Sequence, residues 1–238
     1  SCLLNALCGS VVFKSGVSEN GSGLTDRLQL QEGPDGVVYG DTPGLDDPDM
    51  RKLAAEEISK ALKSGEGTYK LVFVVTLAPG GRKVRPADVA TMKLVLNALP
   101  NKEHVSFGIV VNQIPNALQR RLTDSTEYRE SSVGSFSVLG EDYPTPSYTF
   151  YPQIPELDYK NDKLHVPRPS LLAFVDSLAP VVVEPDKVQE IDYRTLEEVT
   201  EDVEKLQKEL KNARSRNAFA EGAGNAAGGV GAVLAALG

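Results

Sequence analysis

Two short apolar runs constrain the fold of this chain more than any other feature. Residues 69–76 read Tyr-Lys-Leu-Val-Phe-Val-Val-Thr, and residues 105–111 read Val-Ser-Phe-Gly-Ile-Val-Val. Each is short for a buried helix and too continuously apolar for a strand with one wet face. Each therefore predicts a strand covered on both sides. Helical spacing follows both. Pro86 to Leu99 carries Val89, Met92, Val95, Leu96 and Leu99 on one stripe, and a second helix is expected from Ile114 to Leu122. Such strands alternating with helices define an α/β domain, a mostly parallel sheet between two helical layers.

The remaining elements extend that alternation. A helix opens the chain at Ser1 to Gly9, and a polar, glycine-containing loop occupies Lys14 to Gly23. Thr25 to Gln31 predicts an edge strand, Val37 to Gly40 a further strand, and Leu53 to Leu62 a helix. Tyr148 to Tyr151 is the last expected strand and Pro169 to Leu178 the last helix of the domain, which spans 1–183 and closes between Pro180 and Pro185.

Residues 184–217 have a different texture. Leu196, Val199, Val203, Leu206, Leu210 and Ala213 recur at alternating steps of three and four. That stripe suits a helix folded back on the domain or a short coiled coil. Residues 218–238 are rich in Gly and Ala, and Gly224 and Gly228 form a G-x-x-x-G step that permits close helix approach in a membrane. The uncharged run is shorter than the roughly 18–20 residues of a bilayer span. A weakly helical tail and the start of a membrane segment both stay open.

Composition narrows the function classes. With 33 acidic against 25 basic residues the net charge is −8, and the sequence pI is near 4.9. No basic footprint of a general nucleic-acid binder exists. Cys2 and Cys8 share the first helix and are expected as core thiols of a cytoplasmic protein. His104 and His165 have no metal-ligand spacing.

The chemistry concentrates after a strand. In Val37-Val38-Tyr39-Gly40-Asp41-Thr42-Pro43-Gly44-Leu45, a strand runs into an Asp-Thr-Pro-Gly turn. An Asp at a strand end is held rigidly enough to organise a metal's water shell, and a Gly lets its N–H approach a phosphate with no Cβ in the way. Ser1 heads the first helix with a hydroxyl suited to Mg²⁺, and Thr25, before the edge strand, can close over a nucleotide. Taken singly, Ser1 is an ordinary N-cap, Thr25 a loop residue and Pro43-Gly44 a turn pair. Their order along the chain makes them a set.

That set resembles the translation-factor-related P-loop GTPases. Ser1-Cys2-Leu3-Leu4-Asn5-Ala6-Leu7 looks like the helix after a Walker A loop, G-x-x-x-x-G-K-[ST], cut between Lys and Ser. The first strand and the phosphate-cradling glycines are then expected ahead of Ser1; Met50 and Met92 are the only methionines. The Ser1–Thr25 spacing, Gln29 and the Thr76-to-Asp88 segment are most similar to the immunity-associated, avirulence-induced (GIMAP-like) group.

The resemblance implies a three-layer P-loop domain that binds GTP or GDP with Mg²⁺. It assigns Ser1, Thr25 and Asp41 to the metal, Ser1, Asp41, Thr42, Asn112 and Gln113 to the nucleotide, and Thr25 and Gly44 to γ-phosphate sensing and catalysis. It also implies homodimers or oligomers through the nucleotide face and membrane contact through the tail of an otherwise cytoplasmic protein. Leu45 stands where faster relatives carry a water-orienting Gln, so slow hydrolysis is expected, with Arg82 or Arg85 as candidate arginine fingers. Gln113 and Pro115 replace the Lys and Asp that read guanine, and Asn116 is the substitute nearby. A degenerate scaffold and an ATP-specific NTPase are the alternatives.

Overall fold

A computed structural model of the chain describes residues 1–15, 24–34, 36–64, 68–78, 83–140, 142–154, 164, 169–213 and 216. Helix α1 (Cys2–Cys8) leads to an antiparallel pair, β1 (Gln29–Glu32) and β2 (Val38–Asp41), with Gln29 opposite Asp41 and Glu32 opposite Val38. Helix α2 (Arg51–Leu62) follows, then β3 (Thr68–Tyr69), β4 (Leu71–Thr76) and α3 (Pro86–Asn97). Pro86 occupies the first turn of α3 behind an extended Arg85, where its missing N–H costs nothing. The chain continues through β5 (Phe107–Ile114), α4 (Asn116–Asp124), α5 (Thr126–Val133), β6 (Ser147–Pro152), α6 (Pro169–Ser177) and β7 (Val181–Val182). A last helix, α7, occupies residues 196–213.

The central sheet is parallel, in the order β4-β5-β6. Its register runs from Leu71 opposite Phe107 to Thr76 opposite Asn112, and from Gly108 opposite Ser147 to Val111 opposite Phe150. The two-residue alternation of each strand sorts the core into two sides. Leu71, Phe73, Val75, Phe107, Ile109 and Val111 face the main core with α2, α3 and α7. Val72 and Val110 face the opposite side, where Leu3 and Leu7 of α1 meet Leu171 and Phe174 of α6. The result is the expected α/β arrangement with helices on both faces. Gly108 permits the approach of α6: a Cβ there would lie 2.6 Å from Leu178 Cδ1 and 3.0 Å from Phe174 Cζ.

Several expectations need correction. The run 69–76 is not one strand, because Tyr69 pairs antiparallel with Val181 while Leu71 onward pairs parallel with β5. Nor is it buried on both faces. Val74 is 55% exposed, since α1 reaches Val72 and no described strand lies on the outer edge of β4. The expected strand 105–111 instead begins at Phe107 and continues through Asn112 and Gln113 to Ile114. The alternative left open for the last helix resolves to the folded-back one. Leu196 and Val203 of α7 are buried in the main core, and Gln189 N donates to Ala98 O at 2.8 Å just before it. Residues 218–238 lie outside the described residues. No described helix is long and apolar enough to cross a membrane.

Candidate functional site

Strand β2 ends on Asp41, buried to 9% exposure and directly opposite Gln29 at the start of β1. Two hydroxyls converge on its Oδ2 atom: Ser1 Oγ donates at 2.5 Å and Thr25 Oγ1 at 2.9 Å. The hydroxyl oxygens are themselves 3.0 Å apart, and the Ser1 main-chain nitrogen lies 3.4 Å from Asp41 Oδ1. Three segments, distant in sequence, thus place three oxygens in one triangle.

The donor set fits a hard cation. One carboxylate and two hydroxyls leave most of a coordination shell to water and phosphate oxygens, which is how Mg²⁺ is usually held. At Mg–O distances of about 2.0–2.1 Å, adjacent octahedral ligands lie about 2.9 Å apart. Two sides of the triangle already have that length, and the Ser1–Asp41 side would open slightly. Among the described residues, no group of three or more His, Cys, Asp and Glu could hold a metal ion.

The turn after Asp41 is pinned on both sides. Leu45 is 1% exposed, in the main core, and its carbonyl accepts from Arg51 Nε at 3.1 Å. Arg51 also reaches Glu197 of α7 at 3.2 Å, an exposed pair that contributes little. Asp46 accepts from Arg85 at 2.9 Å. Arg85 in turn grips both oxygens of Asp88, and Asp88 Oδ2 also accepts from Thr76 N at 3.1 Å. Burial lifts the Asp88 carboxyl above its ordinary range against the pull of Arg85, whereas hydrogen bonding to Asp88 raises Arg85. Arg85, one of the two expected fingers, is therefore committed to two carboxylates of its own chain, and Arg82 lies outside the described residues.

Gly44 sits exposed in this turn. A Cβ there would meet nothing within 4 Å, and its φ is not in the left-handed region. Neither packing nor backbone geometry demands a glycine. Thr42 is half-buried beside it.

The structure brings Ser1, Thr25 and Asp41 together, with Thr42 and Gly44 in the adjoining turn. Asn112 and Gln113 lie near the carboxyl end of β5, and no hydrogen bond among the described residues joins them to the triad. Gln113 has φ 57°, a left-handed conformation uncommon for its residue type, at the register shift between Val111 and Ile114. Asn116 lines an open cleft of about 380 Å³ with other residues of α4.

Two further fastenings of the site escape sequence reasoning. Asn5 accepts from Val12 N and Phe13 N and donates to Phe13 O, tying the chain after α1 back onto that helix. Glu57, on the inward face of α2, accepts from Leu28 N at 2.7 Å and pairs with Lys60. The Lys60 ammonium and the Leu28 amide hold its carboxyl below the ordinary range. A polar residue at an apolar face position was the available signal for both.

No protein-family model matches this chain, and no curated protein matches it.

Proposed function

We propose that this chain is a Mg²⁺-dependent nucleoside-triphosphate switch of the P-loop NTPase class. Within that class the reading goes to a GTP-binding protein of the immunity-associated, avirulence-induced (GIMAP-like) group. One observation carries it: Ser1, Thr25 and Asp41, chosen from the sequence as ligands of a single ion, meet around one carboxylate.

Asp41 accepts hydrogen bonds from both hydroxyls and so leaves their oxygen lone pairs for the cation. Bound Mg²⁺ supplies positive charge to the terminal phosphate oxygens. Gly44 offers its N–H from a position with no side chain in the way, which explains a glycine that the fold itself does not require. Leu45 is anchored in the core and presents nothing that could orient water, so turnover is slow and depends on a partner.

The test is binding and turnover by the intact gene product with GTP and ATP in parallel, with and without Mg²⁺. Saturable Mg²⁺-dependent GTP binding with slow phosphate release is expected. ATP binding without GTP binding moves the reading to an ATP-specific enzyme, and binding of neither removes it. A non-catalytic scaffold is the second reading, favoured by Gln113 and Pro115 in place of the base-reading Lys and Asp. Binding without turnover selects it.

A further inference from the structure

We propose that Glu57 is a positioning residue that couples helix α2 to the loop carrying Thr25, an inference that rests on the nucleotide reading above. Segment 24–28 is fastened to other elements at two points among the described residues. At one, Thr25 hydrogen-bonds Asp41 and Ser1. At the other, Leu28 N donates to Glu57 Oε2 at 2.7 Å. Between them, Asp26 and Arg27 are exposed and pair with each other at 3.4 Å, and the Arg27 charge also acts on Glu57.

Glu57 is 7% exposed on the face of α2 that also buries Ala54, Ala55 and Ile58. A carboxylate in such a place is costly unless its oxygens are hydrogen-bonded. Oε1 is held by Lys60 from its own helix, and Oε2 is spent on the loop. The loop contact is therefore what distinguishes a Glu here from another apolar residue of the stripe.

Its position makes it a transmitter. Helix α2 begins at Arg51, joined through the short turn of residues 47–50 to the segment that runs from Asp41 through Gly44 to Asp46, and Arg51 Nε donates back to Leu45 O of that segment at 3.1 Å. Leu28 lies three residues from Thr25, a span of at most about 10 Å of extended chain. A shift of the turn that moves α2 pulls Leu28, and with it the hydroxyl beside the metal. Occupancy of the terminal phosphate at Gly44 and closure of Thr25 thereby become one event rather than two.

The experiment compares Glu57→Ala with Glu57→Gln in the intact protein. Glutamine keeps an oxygen for Leu28 N and is expected to preserve behaviour; alanine removes it. Glu57→Ala should speed hydrogen exchange at the Leu28 amide about ten-fold or more, the scale of one lost charge-assisted hydrogen bond. It should also reduce the preference for GTP over GDP by about ten-fold while leaving GDP affinity unchanged, because a diphosphate does not engage the coupled element. Glu57→Asp, too short to reach, serves where Glu57→Ala does not fold. Wild-type exchange at Leu28, or wild-type triphosphate preference, in Glu57→Ala (or in Glu57→Asp where that variant replaces it) overturns the coupling. A protein that binds neither nucleotide refutes both the reading and the coupling, whereas exchange at Leu28 alone reports whether Glu57 holds the loop.

Discussion

The Thr25 hydroxyl donates to Asp41 Oδ2 at 2.9 Å, tying the segment before the β1–β2 pair to the buried last residue of β2. The bond is local chemistry between a neutral donor and a charged acceptor, and the same carboxylate oxygen takes the Ser1 hydroxyl. Thr25→Val keeps the shape and deletes the donor. It should cost about 1.5–3 kcal/mol of stability, the range for a hydrogen bond to a charged group, and weaken Mg²⁺-dependent triphosphate binding far more than diphosphate binding. Asp41→Asn keeps the shape and deletes the charge, and Mg²⁺ should then no longer enhance nucleotide binding. Titration of a fluorescent nucleotide against Mg²⁺ reads both. An unchanged Mg²⁺ response in Asp41→Asn would mean the triad is not the metal site.

Leu45 invites the obvious substitution of Gln to restore a water-orienting side chain. Because Leu45 is 1% exposed among core residues, the amide would be buried without partners. The expected outcome is destabilisation by about 2–4 kcal/mol with no faster hydrolysis. Urea denaturation measures the first and single-turnover phosphate release the second. Faster release from a fully folded Leu45→Gln would show that this side chain can leave the core and reach the nucleotide.

The contrast between Leu45 and the triad marks what sequence alone conveys here. Ser1, Thr25 and Asp41 were legible because each sits in a short pattern whose chemistry is local: a helix head, a polar loop, a strand end. Strand β5 and helix α3 were legible because apolar periodicity reports burial directly, whereas the same reasoning overstated β4, whose Val74 is exposed. Glu57, Arg51 and Arg85 were not legible, because their partners lie 29, 6 and 39 residues away and are set by packing. Helix α5 escaped for another reason. Its sequence, Thr-Glu-Tyr-Arg-Glu-Ser-Ser-Val, has almost no apolar stripe, and it starts on a cap in which Ser125 accepts from Tyr128 N at 3.1 Å. The end of β5 was misjudged because the ladder continues past the last apolar residue, through Asn112 and Gln113.

Tyr69 supplies an independent check on the packing around β3. Its phenolic oxygen is buried without a hydrogen-bond partner among the described residues, and burial pushes its pKa up to about 12. Deleting an unsatisfied buried hydroxyl while keeping the ring removes a desolvation cost. Tyr69→Phe should therefore be neutral or more stable by about 1 kcal/mol. A clear loss of stability in urea would reveal a partner for that hydroxyl.

The Glu57 carboxylate gives a pH dependence with a definite sign. Its folded pKa lies below the ordinary Glu value of 4.5, chiefly through Lys60 and then the Leu28 amide. As pH falls through this window, the unfolded chain takes up a proton before the folded one does, so stability falls with acidification. The contribution is fully present above 4.5 and is lost as pH drops through the folded value. Asp88 runs the other way, because burial raises it and protonation in the folded state relieves that cost. The difference between wild type and Glu57→Gln isolates Glu57, since Asp88 is common to both proteins. Urea denaturation at neutral pH should show wild type the more stable, and the gap should narrow steadily once the pH falls below 4.5. A gap that stays constant to strong acid would mean that Glu57 keeps its ordinary pKa on folding, and that neither Leu28 nor Lys60 engages its charge.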